Sequence, residues 1–338
     1  MRGRPPWSLL AWLGSCCVLL VLAPAPPEPP PPTEREVTLM QRQADMVVRD
    51  ARRWQRERGD RLVDWDDARG RLAIIIDDVG RELHLFEQLH ALRYPLTFSI
   101  LPGSIYAPGI QLRLRGDRRR YREIMLHLPM EPTNADKMSE GLEAQEQFLV
   151  GADDPATLRD KVEHALARVP AAIGVNNHMG SALTRNADAM AEVMAILRPR
   201  SLFFVDSRTI GDTRAEDVAR SHGVPTLPRD VFLDHDPSPA AIEAALDEAV
   251  RRSQTEPIVA IAHPSEALVD VLRRRLPQLH AEGVGLYPVS RLVTARRAAA
   301  QRTDGPTTGT EVMAEKPTDP GPGRPRDHKA SFRPEGPS

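Results

Sequence analysis

Two apolar patterns alternate between residues 72 and 293. One is the short continuous run: "LAIII" (72–76), "LTFSIL" (96–101), "EIMLHL" (123–128), "AIGVN" (172–176), "LFFVD" (202–206), "PTLP" (225–228), "IVAIA" (258–262) and "VGLYPV" (284–289). The other is the three-and-four spacing of a helix, over 81–92, 155–168, 186–197, 212–222, 238–253 and 265–281. Short apolar runs between helices predict strands buried on both faces, hence a parallel sheet covered by helices. About eight such strands predict a barrel-like α/β domain. No composition break divides the stretch, so 70–296 reads as one domain.

The flanks have different patterns. Val37, Met40, Ala44, Val47, Ala51 and Trp54 form a narrow apolar seam and predict a helix from Glu36 to about Arg58, within a helical segment assigned to 36–69. Two uses fit it: a helix packed on the body or serving as a stalk, or a dimerising helix. Residues 26–35 are a proline-rich linker of extended polyproline character. Residues 1–25 carry Arg2 and Arg4 ahead of an apolar run from Trp7 to Ala23, the pattern of an export signal. Three fates fit this segment: cleavage near Ala25, acylation at Cys16 of "LGSC", or retention as a membrane anchor with the body outside. The expected location is the periplasm, free or anchored to the inner membrane. Residues 297–338, rich in Pro, Gly, Thr and charge, predict a disordered tail.

Composition narrows the chemistry. A net charge of −2, with no basic stripe interleaved with aromatics, argues against a nucleic-acid partner. The only cysteines, Cys16 and Cys17, lie in the export segment. The body therefore has no disulfide, and any metal in it must take nitrogen and oxygen ligands.

Sites in parallel α/β folds form at the carboxyl ends of strands. Here those ends carry Asp77-Asp78-Val79-Gly80, "HLPMEP" (127–132), "NNHMGS" (176–181), "DSRT" (206–209) and "AHP" (262–264). Three of the ten histidines fall there. Carboxylates and imidazoles at several ends of one sheet converge on one face and predict a metal-assisted site.

The phrases "IIIDDVG", "HLPMEP", "GVNNHMGS", "FFVDSRT" and "AIAHP", in that order over about 70–294, resemble the divergent polysaccharide deacetylase family of bacterial envelope proteins. The wider polysaccharide deacetylases are metal-dependent carbohydrate esterases. The resemblance implies a distorted or incomplete (β/α) barrel of about seven to eight mostly parallel strands. It implies Asp77 as general base, Asp78 and His127 as metal ligands, and His263 as general acid. Two positions depart from the wider pattern. Glu131 stands where a second metal histidine is found, and an arginine near the fourth strand is replaced by "NNHMGS". His178 is the expected substitute ligand, giving an Asp78/His127/His178 set suited to Zn²⁺. Glu131 is a reserve or supporting ligand. Asp206 either orients His263 or His178, or caps its own loop with Ser207 and Thr209. Asn176 and Asn177 either meet substrate hydroxyls or shape a turn. The implied function is removal of acetyl groups from an envelope glycan, with a glycan- or protein-binding module on the same fold as the alternative.

Overall fold

The structure is a computed structural model and describes residues 34–117 and 120–303. The expected export segment, the linker as far as residue 33 and the tail beyond residue 303 lie outside the described residues. Nine strands form one sheet: β1 (Gly70–Val79), β2 (Thr97–Ile100), β3 (Glu123–Met130), β4 (Gly174–Met179), β5 (Phe203–Asp206), β6 (Thr226–Pro228), β7 (Val231–Phe232), β8 (Ile258–Ala262) and β9 (Val284–Leu286). Their order is β6-β5-β4-β3-β2-β1-β8-β7, with β9 beside the start of β1. Every pairing is parallel. The edge strands β6 and β7 do not pair with each other, so the curled sheet is an incomplete barrel. All eight expected strands are present. β7, at two residues, is too short to carry a pattern.

The helices are α1 (Glu34–Arg58), α2 (Leu83–Ala91), α3 (Ala107–Gly116), α4 (Pro155–Arg168), α5 (Ala187–Leu197), α6 (Ala215–Ser221), α7 (Pro239–Ser253), α8 (Glu266–Ala281) and α9 (Val289–Thr303). Three details correct the expectation. The helical segment ends at Arg58 rather than 69. Beyond it the chain is irregular, tied by a buried Asp60–Arg122 pair (2.6 and 2.9 Å) and by Trp65 packed edge-on against Tyr287. The last strand stops at Leu286, because Pro288 cannot donate to a ladder and suits a helix start. The following helix α9 runs to Thr303, so the first residues assigned to the tail are helical. Every described side chain along α1 is exposed, including Val37, Met40 and Val47 of the seam.

Side chains alternate across a strand, and here the alternation sorts two cores. Leu72, Ile74, Ile76, Phe98, Leu126 and Val175 face the helical layer. Ala73, Ile75, Met125, Val205, Val259 and Ile261 face inward, where Val289, Leu292 and Val293 of α9 pack against them. The start of α9 is fixed at the amino ends of β2 and β3. Val289 N–H donates to Thr97 Oγ1 (3.3 Å) and Ser290 N–H to the buried Glu123 carboxylate (3.1 Å). The inward face is thus plugged at the strands' amino ends. Continued upward, the same alternation places Asp77 after Ile75, His127 after Met125 and His263 after Ile261.

Candidate active site

Two neighbouring strand residues normally point to opposite faces, yet Asp77 and Asp78 both line one cavity of about 580 Å³. A bulge makes this fit. The β1–β2 register shifts between Ile76 and Val79, and Asp78 sits at φ 53°. Gly80 follows at φ 121°, where a Cβ would meet Ser104 Oγ at 2.6 Å.

Asp78, His127 and His178 come together from β1, β3 and β4. Asp78 Oδ1 lies 3.2 Å from His127 Nε2 and 3.0 Å from His178 Nδ1, and these two nitrogens are 3.2 Å apart. The outer partners of the rings fix their tautomers. Asn176 Nδ2 donates to both oxygens of Asp77 (2.8 and 3.0 Å), so its Oδ1 is the acceptor facing His127 Nδ1 at 3.0 Å. His127 Nδ1 therefore carries the proton and Nε2 a lone pair. His178 Nε2 faces Glu143 Oε2 at 2.8 Å, which puts the proton there and a lone pair on Nδ1. In neutral rings, three lone pairs then converge with no proton among them. Asp78 Oδ1 is buried and makes no well-formed hydrogen bond. This arrangement calls for a positive charge at its centre, and one carboxylate oxygen with two imidazole nitrogens fits a divalent ion such as Zn²⁺. Without an ion, protons fill the role. Burial alone would depress His178, but the hydrogen bonds and charges of Asp78 and Glu143 push it up to about 9. Burial would raise Asp78, yet the two imidazoles hold it well below the usual carboxylate range.

Asp77 is buried and held differently. Desolvation raises its pKa, and the neighbouring His127 and His263 and the Asn176 amide offset only part of this. Its Oδ2 stands 3.7 Å from His127 Nε2. A raised carboxylate fixed by a neutral amide suits a base. Across the cavity, His263 has a half-exposed ring packed edge-on to Phe232 (centroids 5.4 Å apart). Asp234 fixes it twice, accepting from the His263 backbone N–H at 2.7 Å and facing its Nδ1 at 3.4 Å. Burial works against the imidazolium, but Asp234, Asp78 and Asp77 push His263 up to about 9. This shift favours the protonated ring that a general acid needs.

Other expected residues have other places. Glu131, the reserve ligand, does not line the cavity: its Oε2 accepts from Gly151 N–H at 2.7 Å, closing the base of the 131–150 loop. His178, and not Glu131, completes the cluster with Asp78 and His127. Asp206 orients neither histidine. It caps its own loop through Arg208 N–H and Thr213 Oγ1 (2.8 and 2.9 Å), rather than through Ser207 and Thr209. Asn176 is fully buried and reaches Asp77, His127, Ser99 and Ser207, so it supports the site and is out of reach of a substrate hydroxyl. Asn177 does line the cavity, although its Nδ2 donates to Met179 O (2.7 Å) and its Oδ1 accepts from Ser207 N–H (2.9 Å). Sequence reasoning missed Asp234, Glu143 and Arg81. Asp234 lies in "FLDHD" just after the unrecognised β7, so an acid following a strand was the available signal. The other two sit on a turn and a loop, with no periodicity to mark them.

A family model described as divergent polysaccharide deacetylase matches residues 74–293. This chain belongs to that family. An uncharacterized protein of Haemophilus influenzae is 34% identical over 215 residues, which is 62% of this chain and 74% of the relative. An uncharacterized protein of Escherichia coli, YibQ, is 34% identical over 214 residues, 62% of this chain and 63% of its own; the chain thus spans under two thirds of that relative. Among solved structures, an uncharacterized protein from Agrobacterium tumefaciens superposes with a TM-score of 0.61 at 22% identity, over 69% of this chain and 93% of that one. It shares the fold. The five phrases quoted from the sequence all fall within or at the edge of the matched divergent-deacetylase region.

Proposed function

We propose that this chain is a metal-dependent deacetylase acting on an acetylated polysaccharide of the bacterial envelope, exported or held at the inner membrane by its first 25 residues. The observation that carries the reading is the convergence of three lone pairs from Asp78, His127 and His178 in one cavity that Asp77 and His263 also line. Family membership supports a carbohydrate substrate.

A divalent ion bound to the triad supplies Lewis acidity, polarising an acyl carbonyl and making water easier to deprotonate. The rest falls to this chain's own residues. Asp77 takes the proton from the attacking water, and Asn176 holds the carboxylate in place while it does so. His263 gives its proton to the nitrogen or oxygen that leaves the acetyl carbon, and Asp234 stabilises the ring during this transfer. One residue takes a proton and another gives one, so the pair must start in opposite protonation states: the Asp234, Asp78 and Asp77 carboxylates favour protonated His263, while His127, His263 and the Asn176 amide favour ionised Asp77 against its burial.

The test is acetate release from acetylated peptidoglycan and chitin oligomers by the full chain loaded with Zn²⁺. Release by the wild type, with turnover reduced roughly 10²-fold or more in Asp77→Asn, supports the reading. No release from any acetylated glycan tried would favour the binding-module alternative. Unchanged turnover in Asp77→Asn would sink the mechanism.

A further inference from the structure

The loop between β3 and α4 forms one wall of the cavity, and the way it is held is unusual. Its two short 3₁₀ turns, Ala135–Ser139 and Gly141–Gln145, contain no buried residue. Hydrophobic burial therefore does not hold them, and polar contacts to the body stand in for it. Glu146 accepts from Gly103 N–H at 2.8 Å. Gly103 must lack a side chain here, since a Cβ would lie 2.4 Å from Gln145 O. Glu143 reaches further in. Its Oε2 accepts a hydrogen bond from His178 Nε2–H (2.8 Å), and its Oε1 pairs with Arg81 Nη2. Arg81 Nη1 in turn contacts Asp78 Oδ2 at 3.2 Å.

These contacts close a ring: Asp78, Arg81, Glu143, His178. Asp78 and His178 each turn one atom toward the metal position and the other toward the ring. Glu143 fixes the His178 tautomer: its carboxylate is the acceptor at Nε2 (2.8 Å), whereas the Arg81 guanidinium 3.4 Å from the same nitrogen can only donate. If Nε2 kept no acceptor, the proton could move to Nδ1 and the ring would offer the metal no lone pair. Outer partners of metal-binding imidazoles commonly act this way.

We propose that Glu143 is the positioning residue of the metal centre, so that ordering of the 135–146 loop and metal affinity are two faces of one interaction. The inference rests on Asp78, His127 and His178 being the ligands. Linkage makes the effect reciprocal: whatever factor the docked loop adds to metal affinity, the metal adds to loop docking.

The experiment uses the full chain and Zn²⁺, with a competing chelator to read affinity and hydrogen exchange to read the loop. Glu143→Ala is expected to weaken Zn²⁺ binding about 10- to 100-fold. Glu143→Gln should fall between it and the wild type, because an amide oxygen still accepts the Nε2 proton but loses the charge. Zn²⁺ should slow exchange across 135–146 in the wild type and leave it unchanged in Glu143→Ala. A role confined to holding the loop would move exchange in both metal states and leave affinity alone. Wild-type affinity in Glu143→Ala, or a loop indifferent to Zn²⁺ in the wild type, would overturn the proposal. Wild-type affinity no better than that of His127→Ala would instead overturn the ligand assignment beneath it. Melting temperatures of all variants in chelator separate lost folding from lost binding.

Discussion

At the residue scale, the centre is built from pairs with opposite demands. Asp77 and Asp78 are neighbours, but one is raised by burial and the other lowered by imidazoles. The pH profile of turnover follows from this. Activity should rise as Asp77 loses its proton and fall as His263, held up to about 9, loses its own. A bound divalent ion moves both limbs to lower pH, since it favours the deprotonated form of each. His263→Ala should abolish the alkaline limb while keeping the metal; an alkaline limb unchanged in that variant would remove His263 from the acid role. Asn176 supports both Asp77 and His127 from a fully buried position. Asn176→Ala should therefore cost about 1–3 kcal/mol of stability by orphaning buried partners, as well as most of the activity. Denaturant unfolding checks the first and acetate release the second; a stability change within 0.5 kcal/mol, roughly the surface-substitution range, would argue against the hub.

At the level of elements, the sequence was readable wherever period decides structure. Apolar runs located the strands, and the rule that sites form at the carboxyl ends of parallel strands brought Asp77, His127 and His263 together. What period does not encode was missed. The bulge at Asp78 is a backbone event, with no marker beyond the following Gly80. β7 has two residues, so Asp234 went unnoticed behind it. Asn176 reads as a substrate contact or a turn residue because its partners come from three other strands. The plug formed by α9 was hidden by the run of Arg and Ala that follows it. That plug gives a direct prediction. Leu292 is fully buried against Met125 and its neighbours in the inner core. Leu292→Ala should cost about 2–5 kcal/mol, measured by denaturant unfolding, with Zn²⁺ affinity little changed because the site lies at the opposite end of the strands. A cost near zero would mean that α9 does not fill the barrel.

For the molecule as a whole, charge and location give two further expectations. In metal-free protein, His178 and His263 are held near 9 against 6.5 for an ordinary histidine. Folded-state values above the unfolded ones contribute stability that is complete below about 6.5 and is lost as pH rises through about 9. The melting temperature in chelator should therefore fall across that window, and a flat profile would contradict the assigned charges. Among the described residues no helix is long and apolar enough to cross a membrane. The proposal of export rests on the arginines and apolar run in the sequence of residues 1–25. A periplasm-dependent reporter fused after residue 35 should be active; activity of a cytoplasm-dependent reporter at the same point would defeat the export reading.

The most direct test of the whole account is the metal content of the purified full chain after Zn²⁺ loading and desalting, measured beside His127→Ala and His178→Ala. Three lone pairs aimed at one point predict about one ion per chain in the wild type and loss of most of it in each variant. Full occupancy in both variants, or none in the wild type, would contradict the account.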